Sequence, residues 1–144
     1  MRLIIAVKRI AAMVLLVAFF LPLAQCTVMT TKPGKVSEPV VDVTYAYATY
    51  DEEFPTPVLA YVGFLWPLAF AIAGLLRPKL LRHRGVALIE MTLCVGSAYV
   101  LYMLVTLGGD IRYGAYVAAT AIGLYFVSAS ADVAIRWRAA LRSG

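Results

Sequence analysis

The chain is short of charge and of the residues that most catalysis depends on. Only 15% of its 144 residues are charged and 62% are hydrophobic, whereas an average soluble domain is about a quarter charged. It has one histidine, His83, and two cysteines, Cys26 and Cys94. Cys94 lies inside an apolar run and Cys26 at the end of another, so they give no metal-ligand spacing and no expected disulfide. No nucleophile–base–acid set, phosphate-binding glycine loop, zinc signature or redox pair occurs. The expectation is therefore a protein that is not an enzyme and needs no metal and no cofactor. Membrane enzymes that handle quinones or lipids do without short motifs too. His83 has no second histidine, cysteine or nucleophile beside it, and it reads as solvated or facing headgroups.

What the chain does have is long apolar runs, the signature of membrane spans rather than of one soluble core. The formal net charge of +5 raises nucleic acid as a partner, but the charge is placed wrongly for it. Ten of the 13 Lys and Arg fall in three clusters beside apolar runs: Arg2, Lys8 and Arg9; Arg77, Lys79, Arg82 and Arg84; Arg136, Arg138 and Arg142. Cations at span ends follow the positive-inside bias, and no basic, aromatic-interleaved soluble surface accompanies them. The loop 77–85 sets the threading: short, strongly basic, and between two spans, it marks the cytoplasmic side. It also attracts anionic lipid in a generic way.

The N-terminal run has two principal readings. One is a retained span over 10–29, just long enough for a hydrocarbon core of about 30 Å, with Gln25 near its outer face. The other is a signal peptide, with a positive start, an apolar middle and a processing region. Leu23-Ala24-Gln25-Cys26 resembles the lipobox of bacterial lipoproteins, with Leu23, Ala24 and Cys26 in place and Gln25 where the motif carries Gly, Ala or Ser. That resemblance implies removal of residues 1–25 and lipidation of Cys26. Ordinary cleavage after Ala24 is a third possibility. On the retained reading, Cys26 is a small apolar residue.

Residues 27–57 are the one polar stretch of any length. Lys32 and Lys35 stand against Glu38, Asp42, Asp51, Glu52 and Glu53, which suits an outer segment. Lys32-Pro33-Gly34-Lys35 reads as a turn. Val41, Val43, Tyr45 and Tyr47 alternate as in a short strand, and a lone strand needs a partner in this segment or on another chain. Tyr45, Tyr47 and Tyr50 suit the membrane interface or a partner. Asp51-Glu52-Glu53 reads as solvated, with a divalent cation the sharper option.

Three more spans follow, over 58–76, 86–107 and 114–133. Pro67 is expected to kink the first of them, because it lacks an N–H and crowds the carbonyl four residues back. Tyr113, Tyr116 and Trp137 sit where an aromatic belt belongs. In the last span Ala115, Ala119 and Gly123 share a face, and small faces let helices approach closely in lipid. Packing within this chain and packing on another subunit are both open for that face. The most functional-looking residues are Glu90 and Asp132, at roughly 7 Å and 6 Å from the inner side at 1.5 Å per residue. Ionisable groups inside a span are costly and are functional candidates by default. They would either form a shared proton or cation site, or pair with cations: Asp132 with Arg136 at i,i+4, and Glu90 with Arg82, Arg84 or Arg136. Glu90, Cys94 and Ser97 share one helical face.

The expectation is an all-α integral membrane protein of a bacterial cytoplasmic (inner) membrane. It would be a four-span helical bundle, or three spans plus a lipidated N-terminus, with a short β-like outer segment. Residues 1–26 would be the first span or signal, 27–57 the outer segment, 58–138 a three-helix membrane domain, and 139–144 a cytoplasmic tail. The leading function is a non-catalytic accessory or structural subunit. It would touch the bilayer and another membrane protein, or a second copy, through the small face and the tyrosine-rich segment. A small proton- or cation-coupled transport component using Glu90 and Asp132 is the reading from another class. A membrane-anchored lipoprotein with an outer partner-binding segment is the third.

Overall fold

A computed structural model describes residues 2–30, 38–48, 56–76, 84–108 and 110–141. In chain order it has α1 (Arg2–Phe19), β1 (Pro22–Thr30), β2 (Glu38–Tyr45), α2 (Thr56–Leu76), α3 (Arg84–Gly108), β3 (Asp110–Ile111) and α4 (Tyr113–Leu141). Three of the helices are long and apolar enough to cross a bilayer: Thr56–Leu76, Gly85–Thr106 and Tyr113–Arg138. The chain is thus a multi-pass membrane protein. Residues 77–83 of the basic loop, with His83, lie outside the described residues, as do the turn at 32–35, Tyr50, the acidic run at 51–53 and Arg142.

The N-terminal run departs from the expected continuous span over 10–29. The helix begins at Arg2 and ends at Phe19. Phe20 and Leu21 donate their N–H groups to the carbonyls of Val17 and Ala18 at 3.0 and 3.1 Å, a tightened last turn that satisfies two carbonyls left over at the helix end. The cause is Pro22, which disfavours helical geometry at Leu21 and cannot donate into the ladder. The chain then extends as β1. With Arg2, Lys8 and Arg9 in its sequence, α1 is not among the three candidate spans.

The strand expected around Val41 is present as β2, and its partner lies in the same chain. β2 pairs antiparallel with β1 along its whole length, from Pro22 opposite Tyr45 to Thr30 opposite Glu38. β3 pairs on the other side of β1, with Ala24 opposite Ile111 and Gln25 opposite Asp110, giving the order β2-β1-β3. Arg112 reinforces this junction twice: its N–H donates to the Leu23 carbonyl at 2.9 Å, and its guanidinium donates to the Gln25 side chain. Leu23 and Ala24 of β1 are fully buried. Here β1 crosses the start of α4 so closely that a Cβ on Gly114 would lie 2.5 Å from the Pro22 carbonyl oxygen. Only glycine fits that crossing.

The four helices form a ring in which α1 touches α4 and α2, and α3 touches α4 and α2. The core runs through it as Ala11, Ala12, Leu15, Ala18 and Phe19 of α1, Phe64 and Trp66 of α2, Leu101 and Leu104 of α3, and Ala118, Ala121 and Tyr125 of α4. Outside the sheet proper, Tyr47 packs its ring on Phe19 and Phe20 and on Tyr45, and its carbonyl accepts from the Tyr61 hydroxyl at 3.2 Å. These tyrosines therefore serve the junction between sheet and helices.

Pro67 lies inside α2 and is itself buried. Its missing N–H deprives the Gly63 carbonyl of the usual helical donor. Ser97 of α3 replaces it: the Ser97 hydroxyl lies 2.6 Å from that carbonyl, and 2.9 Å from its own helix's Leu93 carbonyl. The Trp66 indole N–H donates to the same hydroxyl at 2.8 Å. A hydroxyl from a neighbouring helix is one of the few ways to satisfy a freed backbone carbonyl inside a bilayer. Among the described residues no buried side-chain nitrogen or oxygen is left without a partner.

Candidate functional site

The charged cluster is assembled at the end of the ring opposite the sheet. Glu90 is 4% exposed on α3 and Asp132 is 6% exposed on α4. The two carboxylates are joined by Lys8 of α1, whose ammonium nitrogen lies 2.5 Å from Glu90 Oε2 and 3.4 Å from Asp132 Oδ2. Asp132 also holds Arg136 in a two-point contact, Nη2 to Oδ2 at 2.6 Å and Nε to Oδ1 at 3.0 Å. The expected i,i+4 pair is therefore formed. The other oxygen of Glu90 accepts from the Tyr125 hydroxyl at 3.0 Å. The Tyr125 ring lies 5.8 Å below the Lys8 ammonium and meets Trp66 edge-on at 5.1 Å.

Each element has a reason to deliver its group here. Lys8 lies three, four and seven residues before Ala11, Ala12 and Leu15, so it shares the α1 face that those residues bury. Arg9, one position on, is exposed. Glu90, Cys94 and Ser97 do share a face, and all three are buried. Tyr125 and Asp132 are seven apart on α4, two turns of one stripe. Among the described residues Glu90 pairs with Lys8, from a helix 82 residues away in sequence; of the arginines expected beside it, Arg82 and the Arg84 side chain lie outside the described residues.

Lys8 is the residue that sequence reasoning missed. Its position beside Arg9 made it look like one more flanking cation of a signal or span. The available sign was its register: a cation on the alanine-rich face of an apolar helix.

The cluster balances two cations against two carboxylates. Such a set has low net charge to expose to lipid, and each carboxylate has both oxygens occupied. No group of three or more His, Cys, Asp or Glu gathers among the described residues in a way that could hold a metal ion. Neither cysteine is in a disulfide; Cys94 is buried and Cys26 is partly exposed in β1. The lipobox-like residues Leu23 to Cys26 lie in the first half of β1, the middle strand of the sheet, with Cys26 opposite Asp42.

Of the small face on α4, Ala115 is buried, whereas Ala119 and Gly123 are exposed. A Cβ on Gly123 would meet nothing within 4 Å. All three line an apolar groove of about 580 Å³ on the α3–α4 pair, together with Ala98, Tyr102 and Tyr116.

No protein-family model matches this chain, and neither a curated protein nor a solved structure is significantly similar to it.

Proposed function

We propose that this is a non-catalytic structural or accessory subunit of a membrane assembly, and that residues 1–25 remain part of it. The observation that carries the reading is the engagement of Glu90 and Asp132 by Lys8 and Arg136. A carboxylate pair that binds a transported proton or cation needs an oxygen to offer, and here the offer goes to an internal ammonium and guanidinium. Retention of residues 1–25 is supported by what they contribute: Lys8 to the cluster, and Ala11, Ala12, Leu15, Ala18, Phe19 and Leu23 to the core.

On this reading the protein sits in a bacterial inner membrane with its C-terminus in the cytoplasm. The support is the segregation of charge. Lys8, Arg9, Arg136 and Arg138 are at the end where the basic loop joins α2 to α3, while the sheet end carries Asp42, Asp110 and Arg112. That is the asymmetry of a positive-inside protein.

Reconstitution separates the two functional classes. The purified chain in liposomes is expected to pass no protons or monovalent cations above the empty-vesicle rate, and to co-purify from membranes in mild detergent with a fixed partner. Flux by the chain alone that Glu90→Gln abolishes, with folded protein still recovered, would establish the transport reading instead.

A further inference from the structure

Among the described residues, two grooves lie on the outward side of the α3–α4 pair. The larger one described above opens in the half nearer the sheet, and Phe126 is the last residue of α4 that lines it. A second, of about 320 Å³, lies in the other half, between Met91, Ser130, Val133, Ala134, Trp137 and Arg138. Phe126 stands at the midpoint of the span Tyr113–Arg138. Each groove therefore belongs to one leaflet. Acyl chains are divided in the same way, each reaching about 15 Å, half of a core about 30 Å thick. A partner helix would cross the midplane without such a break.

The inner groove ends in charge as well as in apolar wall. Arg138 is in the last turn of α4 and exposed, and it forms no ion pair among the described residues. The acids nearest this end, Glu90 and Asp132, are already taken by Lys8 and Arg136. Beside Arg138, Trp137 is 64% exposed, an amphipathic ring at the depth of lipid headgroups. An apolar slot with an uncompensated guanidinium at its mouth matches one class of molecule in both its parts. We propose that the inner groove binds an anionic glycerophospholipid, with one acyl chain between Met91 and Ala134 and its phosphate against Arg138. This inference is independent of the role proposed above.

The test uses the full chain in mixed micelles holding phosphatidylglycerol and phosphatidylcholine of identical acyl chains, with bound lipid read by native mass spectrometry. Phosphatidylglycerol should be retained in preference. Arg138→Gln should weaken its retention about fivefold, the scale of one basic residue near a membrane surface, and Arg138→Lys should restore most of it. Ala134→Trp fills the slot and should lower retention of both lipids. Equal retention of the two lipids by the unmodified chain would overturn the proposal, as would no change in Arg138→Gln. So would an Ala134→Cys/Cys26→Ser variant that oxidises to a dimer in membranes while Cys26→Ser alone does not, which would put a second copy in the groove.

Discussion

Lys8→Met should cost about 3–5 kcal/mol of stability, the scale for removing one partner from a buried ion pair. Small domains are stable by only about 5–15 kcal/mol, so the variant should accumulate poorly in membranes. What survives should unfold early in a detergent denaturation series. The reason is less the lost attraction than what it leaves behind: Glu90 and Asp132, on the neighbouring helices α3 and α4, would have Arg136 alone to balance them. Two controls isolate that cause. Arg9→Met removes a cation from the neighbouring, exposed position and should change stability by no more than about 0.5 kcal/mol. The double variant Lys8→Met/Glu90→Gln restores neutrality, because Asp132 keeps Arg136 and the new side-chain amide at position 90 still has a carbonyl to accept from Tyr125. It should recover most of the loss. If Lys8→Met is as mild as Arg9→Met, the cluster does not hold α1 in place.

Ser97→Ala should cost about 1–3 kcal/mol, the scale for leaving a buried polar group unsatisfied, although hydrogen bonds between membrane helices average nearer 0.6 kcal/mol. The upper part of the range is expected because one substitution strands two groups, the Gly63 carbonyl and the Trp66 N–H. Pro67→Ala in the same chain gives residue 67 an N–H that can reach the Gly63 carbonyl along the helix. The double variant should therefore be more stable than the sum of the two single changes, read in the same denaturation series. Strict additivity would mean that Ser97 does not act as the substitute donor for the proline.

Much of the fold is legible in the sequence, and the physical reason differs from element to element. α2, α3 and α4 are evident because in lipid a backbone must satisfy itself within the helix, so length and apolarity suffice. The Asp132–Arg136 pair is legible because its geometry is local. The Lys8–Glu90 contact is not, since nothing local marks which cation a distant carboxylate will meet. β1 hides for another reason: a short apolar run has the same composition whether it extends or coils, and Pro22 is the single residue that tells the two apart. β3 is only two residues long and exists only because β1 is there to pair with. α4 continues past 133 to Leu141 because Arg136, Trp137 and Arg138 contain nothing that stops a helix. The small face at Ala115, Ala119 and Gly123 is readable as a stripe, but its surroundings depend on how α4 turns toward α1 and α3.

The central claim is that α1 is a permanent wall of the bundle, tied by Lys8, and that the sheet holding Cys26 is on the outer side. The most direct test treats spheroplasts with a membrane-impermeant maleimide and then measures the intact mass of the purified protein. The expected result is a chain that keeps residues 1–25 and carries one adduct, on the partly exposed Cys26, with the buried Cys94 untouched. A chain that has lost residues 1–25 and bears an acylated, unreactive Cys26 would contradict it.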